Sequence, residues 1–395
     1  MMTNHTLQEP AEYIKRDQVV KVVQDLVKFS SVNPPGREKA VAEYLKGYLT
    51  VRNITTKTVA ISQDRYNVVA RLKGKGEAPP VVFTGHMDVV PVSKEERKRW
   101  LTEPFSGEIM DGCIYGRGAA DMKGGLGAAM VAMVTLANSG ITPPGDIILA
   151  ATVDEEDLMR GAKALVNSDV ISDARKIVVC EPTNLELVTC SRGRTWAEIT
   201  VKGQTAHASQ QGAGINAIER AVMLMDKIKN HQIPHEKHNL LGNSFWQITL
   251  IGGGIEPAII PDSCTITVDA RLVPGQLPDD IWGEMKKLIR ELEKETPGFS
   301  ADIEIIEGRE PWETSEDDLL IHALARACEC VGVPVRKGGF LATSDGTILR
   351  RLGMEAVIIG PGDLSAVHME NERVSIKQLI QSAQIYFLTM LNGKY

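Results

Sequence analysis

Apolar and polar positions follow two alternating patterns along the first half of the chain. Apolar residues recur at helical spacing over residues 17–30, 38–51 and 124–140. Other segments are short, continuous apolar runs of the kind that form buried strands: residues 67–72, 79–86, 145–155 and 176–183. Helices that alternate with buried strands predict a doubly wound, mostly parallel sheet with helices on both faces.

The pattern changes near residue 192. The next segments predict strand, helix, strand, strand, helix and strand, in that order: 195–203, 216–231, 244–254, 262–273, 279–295 and 301–307. This β-α-β-β-α-β order is that of the ferredoxin-like unit. The earlier pattern resumes with a helix at 319–332 and a strand at 355–362. We therefore predict a larger α/β domain made of residues 1–191 and 311–395, with a ferredoxin-like α+β domain inserted at 192–310.

Composition narrows the class of protein. The chain has 395 residues, of which 43% are hydrophobic and 24% charged, as in a soluble globular protein with room for two domains. A formal net charge of −7 argues against a nucleic-acid or anionic-membrane partner. The first residues show no signal-peptide pattern, and no apolar run approaches the roughly 20 residues of a membrane span. Six cysteines without a CxxC pair fit reduced thiols, which predicts a cytoplasmic protein.

His86 and Asp88 follow a predicted buried strand in "VVFTGHMD". Side chains alternate along an extended chain, so these two side chains point to the same side. A histidine followed two residues later by a carboxylate suits a metal ligand whose ring is oriented by an acid. The pattern is common, however, and a purely structural role is an equal alternative on this pair alone.

Asp121 lies in the glycine-rich segment "GRGAADMKGG", which leads into a predicted helix. Its glycines permit a tight turn that directs the carboxylate into a cleft. The alternative is that Asp121 caps the amino terminus of the helix, a role that aspartate commonly fills.

Four consecutive carboxylates, Glu155 and Glu156 among them, follow a predicted strand in the segment "TVDEED". Such carboxylates repel one another, so they require either a solvated surface turn or a strongly positive neighbour. Glu181 in "VVCEPT" and His368 in "GPGDLSAVHMENE" also come after predicted strands.

These acids and histidines lie where five predicted parallel-type strands end, and ligands of doubly wound sheets bind beyond that edge. Two histidines and three or four carboxylates suit zinc, cobalt or manganese. One aspartate shared by two ions gives each ion a histidine and a glutamate, and leaves a position for water, as in catalytic sites. Two cations relieve the repulsion within "TVDEED". Since consecutive side chains point to opposite sides, one glutamate of the pair can bind metal while the other acts as general base.

Eight segments together carry a family resemblance: "GHMDVVP", "GRGAADMKGG", "TVDEE", "CEPT", "GQTAHAS", "IIPDSCTITVDARLVPG", "TSDG" and "GPGDLSAVHMENE". No single segment is specific, but the set is, and it spans residues 85–372 in the family's order. The chain resembles the co-catalytic zinc aminoacylase and carboxypeptidase superfamily. Within it, the resemblance is to the branch of acetylornithine deacetylase and succinyl-diaminopimelate desuccinylase.

The resemblance implies two metal ions, zinc first and cobalt or manganese as alternatives. It implies that His86, Asp121 and Glu181 hold one ion. The other ion is then held by Asp121, Glu156 and His368, so that Asp121 bridges the two.

The resemblance also implies roles for other residues. Glu155 is the general base, and Asp88 is the acid that orients His86. His207 in "GQTAHAS" stabilises the oxyanion in a neighbouring subunit's site, which makes the inserted domain a dimerisation domain. Without the family, this histidine is more often structural. Arg271 reads a substrate carboxylate, with an outward charge on an edge strand as its alternative, and the loop Gly360–Gly362 lines the acyl pocket.

The predicted function is hydrolysis of the amide of a small N-acyl amino acid, of the deacetylase or desuccinylase type, by a metal-bound hydroxide. The alternative is a dipeptidase or glutamate-type carboxypeptidase with the same residues. A metal-binding module without catalysis is disfavoured because Glu155 and His207 are both present. A formyl- or carbamoyl-type amide on another amine stays open, since Arg271 alone does not define the substrate. The expected partners are a small N-acyl amino acid or short peptide and a second copy of the chain.

Overall fold

The computed structural model describes residues 13–210 and 212–393. Within them the chain forms two compact units. The first consists of residues 13–189, 314–338 and 344–393, and the second of residues 190–210, 212–313 and 339–343. The second unit therefore interrupts the first in sequence. Its short segment, 339–343, is one that the sequence analysis assigned to the larger domain.

The helices lie mainly in the first unit, and two long ones lie in the second. In chain order they are α1 (Arg16–Val27), α2 (Lys39–Thr50), α3 (Lys94–Arg97), α4 (Gly124–Asn138), α5 (Arg160–Val166), α6 (Ala217–Asn230), α7 (Pro278–Glu295), α8 (Leu319–Val331), α9 (Asp345–Leu349) and α10 (Ile376–Asn392). No helix within the described ranges combines the length and the apolarity that a bilayer crossing needs.

The strands are, in chain order, β1 (Thr55–Ser62), β2 (Arg65–Leu72), β3 (Val81–His86), β4 (Ile109–Met110), β5 (Cys113–Tyr115), β6 (Ile147–Thr152), β7 (Lys176–Val179), β8 (Leu187–Ser191), β9 (Gly193–Lys202), β10 (Ala206–His207), β11 (Phe245–Gly253), β12 (Ile259–Ile260), β13 (Ser263–Leu272), β14 (Ser300–Arg309), β15 (Trp312–Glu313), β16 (Lys337–Phe340), β17 (Glu355–Ile358) and β18 (Arg373–Ser375).

A mixed sheet forms the centre of the first unit, with its strands in the order β1-β2-β6-β3-β7-β17-β8. The middle strands β6, β3, β7 and β17 are parallel neighbours. Antiparallel pairs lie at both edges. This confirms the predicted α/β class with a largely parallel central sheet.

Helix α4 is buried over most of its length, as its sequence requires. Its residues, "GGLGAAMVAMVTLAN", include no charged side chain, and α1 and α10 pack against it. Gly125 allows the helix to approach the sheet, because a Cβ there would lie 1.9 Å from the carbonyl oxygen of Cys180. Helix α4 thus packs against the backbone next to Glu181.

One expectation about the strands is wrong. Asp121 does not follow a parallel strand, because the preceding strand β5 pairs antiparallel with β4 and β18. Asp111 and Gly112 connect β4 to β5 with positive φ values of 49° and 75°. Positive φ at both central residues is the geometry of a type I′ hairpin, which Asp-Gly favours. Asp121 therefore lies in the segment that follows the β4–β5 hairpin, and not at the end of a strand of the parallel sheet.

In the second unit, four antiparallel strands lie in the order β11-β13-β9-β14. Along the chain the elements are β9, α6, β11, β13, α7 and β14, which is the order of the β-α-β-β-α-β unit. Alternate residues of these strands form a core with the two helices, including Ile199, Leu224, Ile266, Trp282 and Met285.

Candidate metal centre

Three parallel strands of the first unit, β3, β6 and β7, bring several predicted metal ligands to one edge of its central sheet. His86 ends β3 and pairs with Thr152, which ends β6. On its other side β3 pairs with β7, which ends at Val179, two residues before Glu181. The carboxyl ends of parallel strands share an edge, so His86, Glu181 and the loop Glu155–Glu156 come together.

Asp121 lies between the two histidines. Its Oδ1 is 3.0 Å from His86 Nε2, and its Oδ2 is 3.3 Å from His368 Nε2. Helix α4 begins at Gly124 without a side-chain cap. The capping alternative for Asp121 is therefore absent, and its two oxygens are divided between two histidines.

Each histidine also lies close to glutamates. His368 Nε2 is 3.1 Å from Glu156 Oε1. His86 Nε2 is 3.8 Å from Glu181 Oε1 and 4.0 Å from Glu155 Oε2. The structure thus assembles every residue of the first unit that the sequence analysis named as a metal ligand or general base.

Two overlapping sets of side chains are compact enough to hold a metal ion. Their ligand-type atoms lie within 4.8 Å of one another: His86, Asp121 and Glu156 in one set, and His86, Glu155 and Glu181 in the other. Neither set is the partition that the family resemblance implies, because neither contains His368. That partition instead uses the contacts of Glu181 with His86 at 3.8 Å and of Glu156 with His368 at 3.1 Å.

The carboxylates are crowded and buried. Burial raises the pKa of Glu181 well above its usual value, and the charge of Asp121 raises it further. Burial and Asp121 likewise raise the pKa of Glu156 to about 7. Burial opposes ionisation of Asp121 as well, but its hydrogen bonds to His368 and His86 lower its pKa overall. Such a cluster disfavours its own negative charges unless a cation compensates them.

The histidines supply that positive charge when they are protonated. Hydrogen bonds to Asp121 and Glu156 raise the pKa of His368 to about 10. Burial lowers the pKa of His86, but the hydrogen bond to Asp121 and the nearby carboxylates outweigh burial and raise it well above its usual value. Divalent ions meet the same electrostatic demand with both histidines neutral, so this donor set fits two of them.

Asp88 holds the glutamate loop as well as the His86 ring. The ring nitrogen Nδ1 of His86 is 2.9 Å from the Asp88 carbonyl oxygen and 3.6 Å from its carboxylate. The carboxylate instead accepts hydrogen bonds from the backbone N–H groups of Glu155 and Glu156 and from the Asn33 amide. The carbonyl group, rather than the carboxylate, makes the closer contact to the ring.

A second support of this loop, Asp154, was not predicted from the sequence. Asp154 has a φ of 69°, and its carboxylate accepts hydrogen bonds from Arg65 at 2.8 Å and Asn33 at 3.2 Å. Arg65 also forms an ion pair with the buried Glu38. A non-glycine residue keeps positive φ only where its surroundings impose it. These contacts therefore fix the backbone immediately before Glu155.

The two glycines of the predicted acyl loop pack against the metal-centre loops. A Cβ on Gly360 would lie 2.5 Å from the carbonyl oxygen of Glu181. Gly362 has a φ of 101°, and a Cβ there would lie 2.9 Å from the Cβ of Ala120. Close approach of the backbone thus explains both glycines.

His207 and Arg271 belong to the second unit. His207 lies on the short strand β10 and is exposed, and its Nδ1 accepts a hydrogen bond from the backbone N–H of Ser209 at 3.2 Å. Arg271 lies on β13, where its Nε and Nη2 donate to the Asp269 carboxylate at 2.8 and 3.0 Å.

Another set of potential ligands lies in the second unit: Cys190, His238 and Glu313. The Nδ1 of His238 accepts hydrogen bonds from the backbone N–H groups of Leu240 and Leu241, each at 3.2 Å. The proton of the neutral ring therefore lies on Nε2, which is 3.4 Å from Glu313. A protonated ring nitrogen cannot ligate a metal, so this hydrogen bonding disfavours a metal site here.

Curated relatives match most of the chain. A probable succinyl-diaminopimelate desuccinylase of Staphylococcus epidermidis is 27% identical over 396 residues, covering 93% of this chain and 95% of the relative. An acetylornithine deacetylase of Myxococcus xanthus is 29% identical over 325 residues, covering 80% of this chain and 81% of the relative.

Solved structures share the fold. A tripeptidase of Staphylococcus aureus superposes with a TM-score of 0.79 at 22% identity, covering 97% of this chain and all of the other. A dinuclear metal-binding peptidase of Bacillus subtilis superposes with a TM-score of 0.73 at 14% identity, covering 95% and 97% of the two chains.

The family comparison agrees with the site. The model of peptidase family M20/M25/M40 matches residues 82–392, which is most of the chain and includes every proposed metal ligand. The chain therefore belongs to peptidase family M20/M25/M40 and is, as its sequence predicts, a metal-dependent hydrolase of amide bonds.

Proposed function

We propose that this chain removes the acyl group of a small N-acyl amino acid by hydrolysing its amide bond at a centre of two divalent metal ions. The observation that carries the proposal is the position of Asp121, whose two oxygens face different histidines, each with a glutamate beside it. The Bacillus subtilis peptidase of the same fold is described as dinuclear, which supports two ions rather than one.

In this proposal His86, Asp121 and Glu181 hold one ion, and Asp121, Glu156 and His368 hold the other. Zinc is the first expectation, with cobalt and manganese as alternatives, because imidazole and carboxylate donors suit all three. When bound, such ions polarise a carbonyl group and lower the pKa of a water molecule from about 15.7 towards about 7.

Glu155 is the proposed general base. It is 8% exposed, its backbone N–H is held by Asp88, and its Oε2 is 4.0 Å from His86 Nε2. From this position it accepts the proton of the attacking water and returns it to the leaving amine nitrogen. General acid–base transfer of this kind contributes about 10²–10⁴-fold to rate.

His207 is the proposed oxyanion donor. Because its Nδ1 accepts the N–H of Ser209, the neutral ring carries its proton on Nε2. That arrangement supplies an N–H donor without requiring the ring to be charged. Loss of one oxyanion donor typically costs about 10²–10³-fold in kcat.

A homodimer formed through the second unit is part of the proposal. Helix α6 and the edge strand β11 expose a group of large apolar side chains: Ile218, Val222, Met223, Leu250 and Ile251. An exposed edge strand with apolar neighbours favours association with another chain. A second copy covers this surface and places His207 of one chain against the site of its partner.

Arg271 is the proposed contact to the substrate carboxylate. Asp269 engages its Nε and Nη2 and so orients the guanidinium, while Nη1 is the nitrogen outside that pair. Arg271→Ala is expected to raise KM for carboxylate-bearing substrates far more than for neutral amides. An equal loss on both kinds of substrate would remove this assignment.

Peptide cleavage is the second candidate function, and the tripeptidase of the same fold favours it. The named desuccinylase and deacetylase relatives, which match the chain more closely in sequence, favour acyl removal. Both reactions use the same metal ligands and the same base, so the substrate distinguishes them.

A substrate panel tests the choice. Amine release is measured from N-acetylornithine, N-succinyl-diaminopimelate, other N-acyl amino acids, N-formyl amines, dipeptides and tripeptides, with Glu155→Gln as the control. We expect release from one N-acyl amino acid that depends on Glu155. Release from peptides alone would establish the peptidase alternative instead.

A reducing compartment suits the chain, and we propose the cytoplasm. No disulfide links its six cysteines, all of which lie within the described ranges. Burial raises the pKa of Cys180 and of Cys328 to about 12, so these thiols are poor nucleophiles.

A further inference from the structure

A buried ion pair, Arg117 with Glu372, connects the loop of Asp121 to the loop of His368. The two residues are 1% and 0% exposed. Nη1 of Arg117 donates a hydrogen bond to Glu372 Oε2 at 2.7 Å. The sequence patterns predict no role for either residue.

Glu372 fixes the backbone at Asp121. Its Oε1 accepts hydrogen bonds from the backbone N–H groups of Ala120 at 3.1 Å and Asp121 at 3.2 Å. Its carbonyl oxygen accepts the N–H of Gly116 at 2.9 Å. Hydrogen bonds to a carboxylate are stronger than neutral ones, so the Asp121 loop cannot shift without breaking strong contacts.

Arg117 fixes the backbone at His368. The same Nη1 donates to the carbonyl oxygen of Met369, the next residue, at 3.1 Å. His368 has a φ of 61°, a conformation that residues other than glycine rarely adopt. Such a backbone persists only where neighbours impose it, and Arg117 is one such neighbour.

A third contact anchors the guanidinium itself. Nη2 of Arg117 donates to Glu96 Oε1 at 2.6 Å, and the indole N–H of Trp100 donates to the same oxygen at 3.2 Å. Arg117 therefore contacts three acceptors on two segments of the chain at once. The planar fork of arginine can do this, whereas the single nitrogen of lysine cannot hold the same geometry.

We infer that Arg117 and Glu372 are positioning residues that set the spacing between Asp121 and His368 and so hold the Asp121–Glu156–His368 set in its metal-binding arrangement. The inference rests on the proposed metal centre. His86 ends β3 and Glu181 follows β7, and the pairing of these strands does not involve this ion pair. Loss of the ion pair between Arg117 and Glu372 therefore weakens binding of the metal ion beside His368 more than binding of the metal ion beside Glu181.

The experiment is a Co²⁺ titration of the metal-free full chain, followed by absorbance and by the metal content of the protein. It compares the wild type with Arg117→Lys and Glu372→Gln. The matched control is Arg71→Lys. Arg71 also donates hydrogen bonds to two carboxylates, those of Asp146 and Asp173. It lies opposite the amino-terminal half of β6, away from the carboxyl end that leads into the metal centre. Thermal unfolding of each metal-free protein checks that it is folded.

The wild type and Arg71→Lys are expected to bind two equivalents. In Arg117→Lys and Glu372→Gln the second equivalent is expected to bind at least about 10-fold more weakly, with the first within about 3-fold of the wild type, as for other residues that orient ligands. If one of the two variants does not fold, the result obtained with the other variant decides the test. Wild-type affinity for both equivalents in a folded variant, or equal weakening of both, would overturn the inference. Fewer than two equivalents in the wild type would instead count against the proposed metal centre.

Discussion

The backbone N–H of Glu155 donates a hydrogen bond to the carboxylate of Asp88 across 3.2 Å. The N–H of Glu156 donates to the other oxygen of the same carboxylate at 3.1 Å. Asp88 lies two residues after the end of β3, whereas the glutamates follow β6. One carboxylate thus fixes the turn on which the proposed base and the proposed ligand are adjacent residues.

Asp88→Asn is expected to lower kcat/KM by about 10–100-fold, the usual effect of a residue that orients metal ligands. The replacement has the same size, but one acceptor oxygen becomes an amino group that faces a backbone N–H. Steady-state kinetics on the best panel substrate measure the effect. Asp169→Asn, at an exposed position, is the matched control and should leave the rate unchanged. Kinetics of Asp88→Asn within 2-fold of the wild type would show that the turn holds without this carboxylate.

Mixing two inactive variants tests whether His207 acts on the partner's site. We expect Glu155→Gln and His207→Ala to be nearly inactive alone and to regain about a quarter of wild-type activity after mixing and subunit exchange. After random exchange of equal amounts, half of the dimers contain one chain of each variant, and each of these dimers has one intact site of two. The control is each variant mixed with itself. Absence of recovery, with exchange demonstrated by labelled chains, would contradict action across a dimer.

Asp146 provides a pH-dependent contribution to stability away from the metal centre. Burial raises its pKa, but hydrogen bonds from Gly74, Lys73 and Arg71 outweigh burial and lower it. A carboxyl whose pKa is lowered in the folded state stabilises the protein above its unfolded pKa of about 3.9, and this contribution disappears as the pH falls through the folded value.

Asp146→Asn is accordingly expected to lower the free energy of unfolding by about 1–3 kcal/mol at pH 7, the range for hydrogen bonds to charged groups. The difference from the wild type should shrink below about pH 4. Urea unfolding of the metal-free protein at pH 7 and pH 3.5 measures it. Asp64→Asn, which removes an exposed ion pair with Lys39, is the control and should change little at either pH. A difference that stays constant with pH would contradict the ion-pair account.

Regular patterns made much of the fold predictable. Most long helices and buried strands could be predicted because the spacing of apolar residues, or a short continuous apolar run, is visible within each segment of the sequence. The hairpin before Asp121 was missed because β5 has three residues, although Asp111-Gly112 is a strong turn signal. Helix α10 was not predicted at all, and its sequence, "IKQLIQSAQIYFLTMLN", is interrupted by polar residues that tertiary packing buries, such as Ser382 and Thr389.

The metal ligands of the site could be predicted from the sequence, but the residues that support them could not. The ligand candidates could be named because chemically suited residues follow strand ends in the order of a known family. Their supports could not be named, since Arg117, Glu372 and Asn33 act through contacts between distant segments. The side chain of Asp88 was recognised, but its partners were not, because sequence spacing does not distinguish a ring nitrogen from a backbone N–H.

The most direct test of the central claim measures amine release as divalent metal is titrated into the metal-free chain, for the wild type, Glu155→Gln and Glu156→Gln. The account predicts that wild-type activity reaches its maximum near two equivalents. It predicts that Glu155→Gln still binds two equivalents but loses about 10²–10⁴-fold in kcat, and that Glu156→Gln binds the second equivalent more weakly. Wild-type turnover by Glu155→Gln, or full activity of metal-free protein, would contradict the claim.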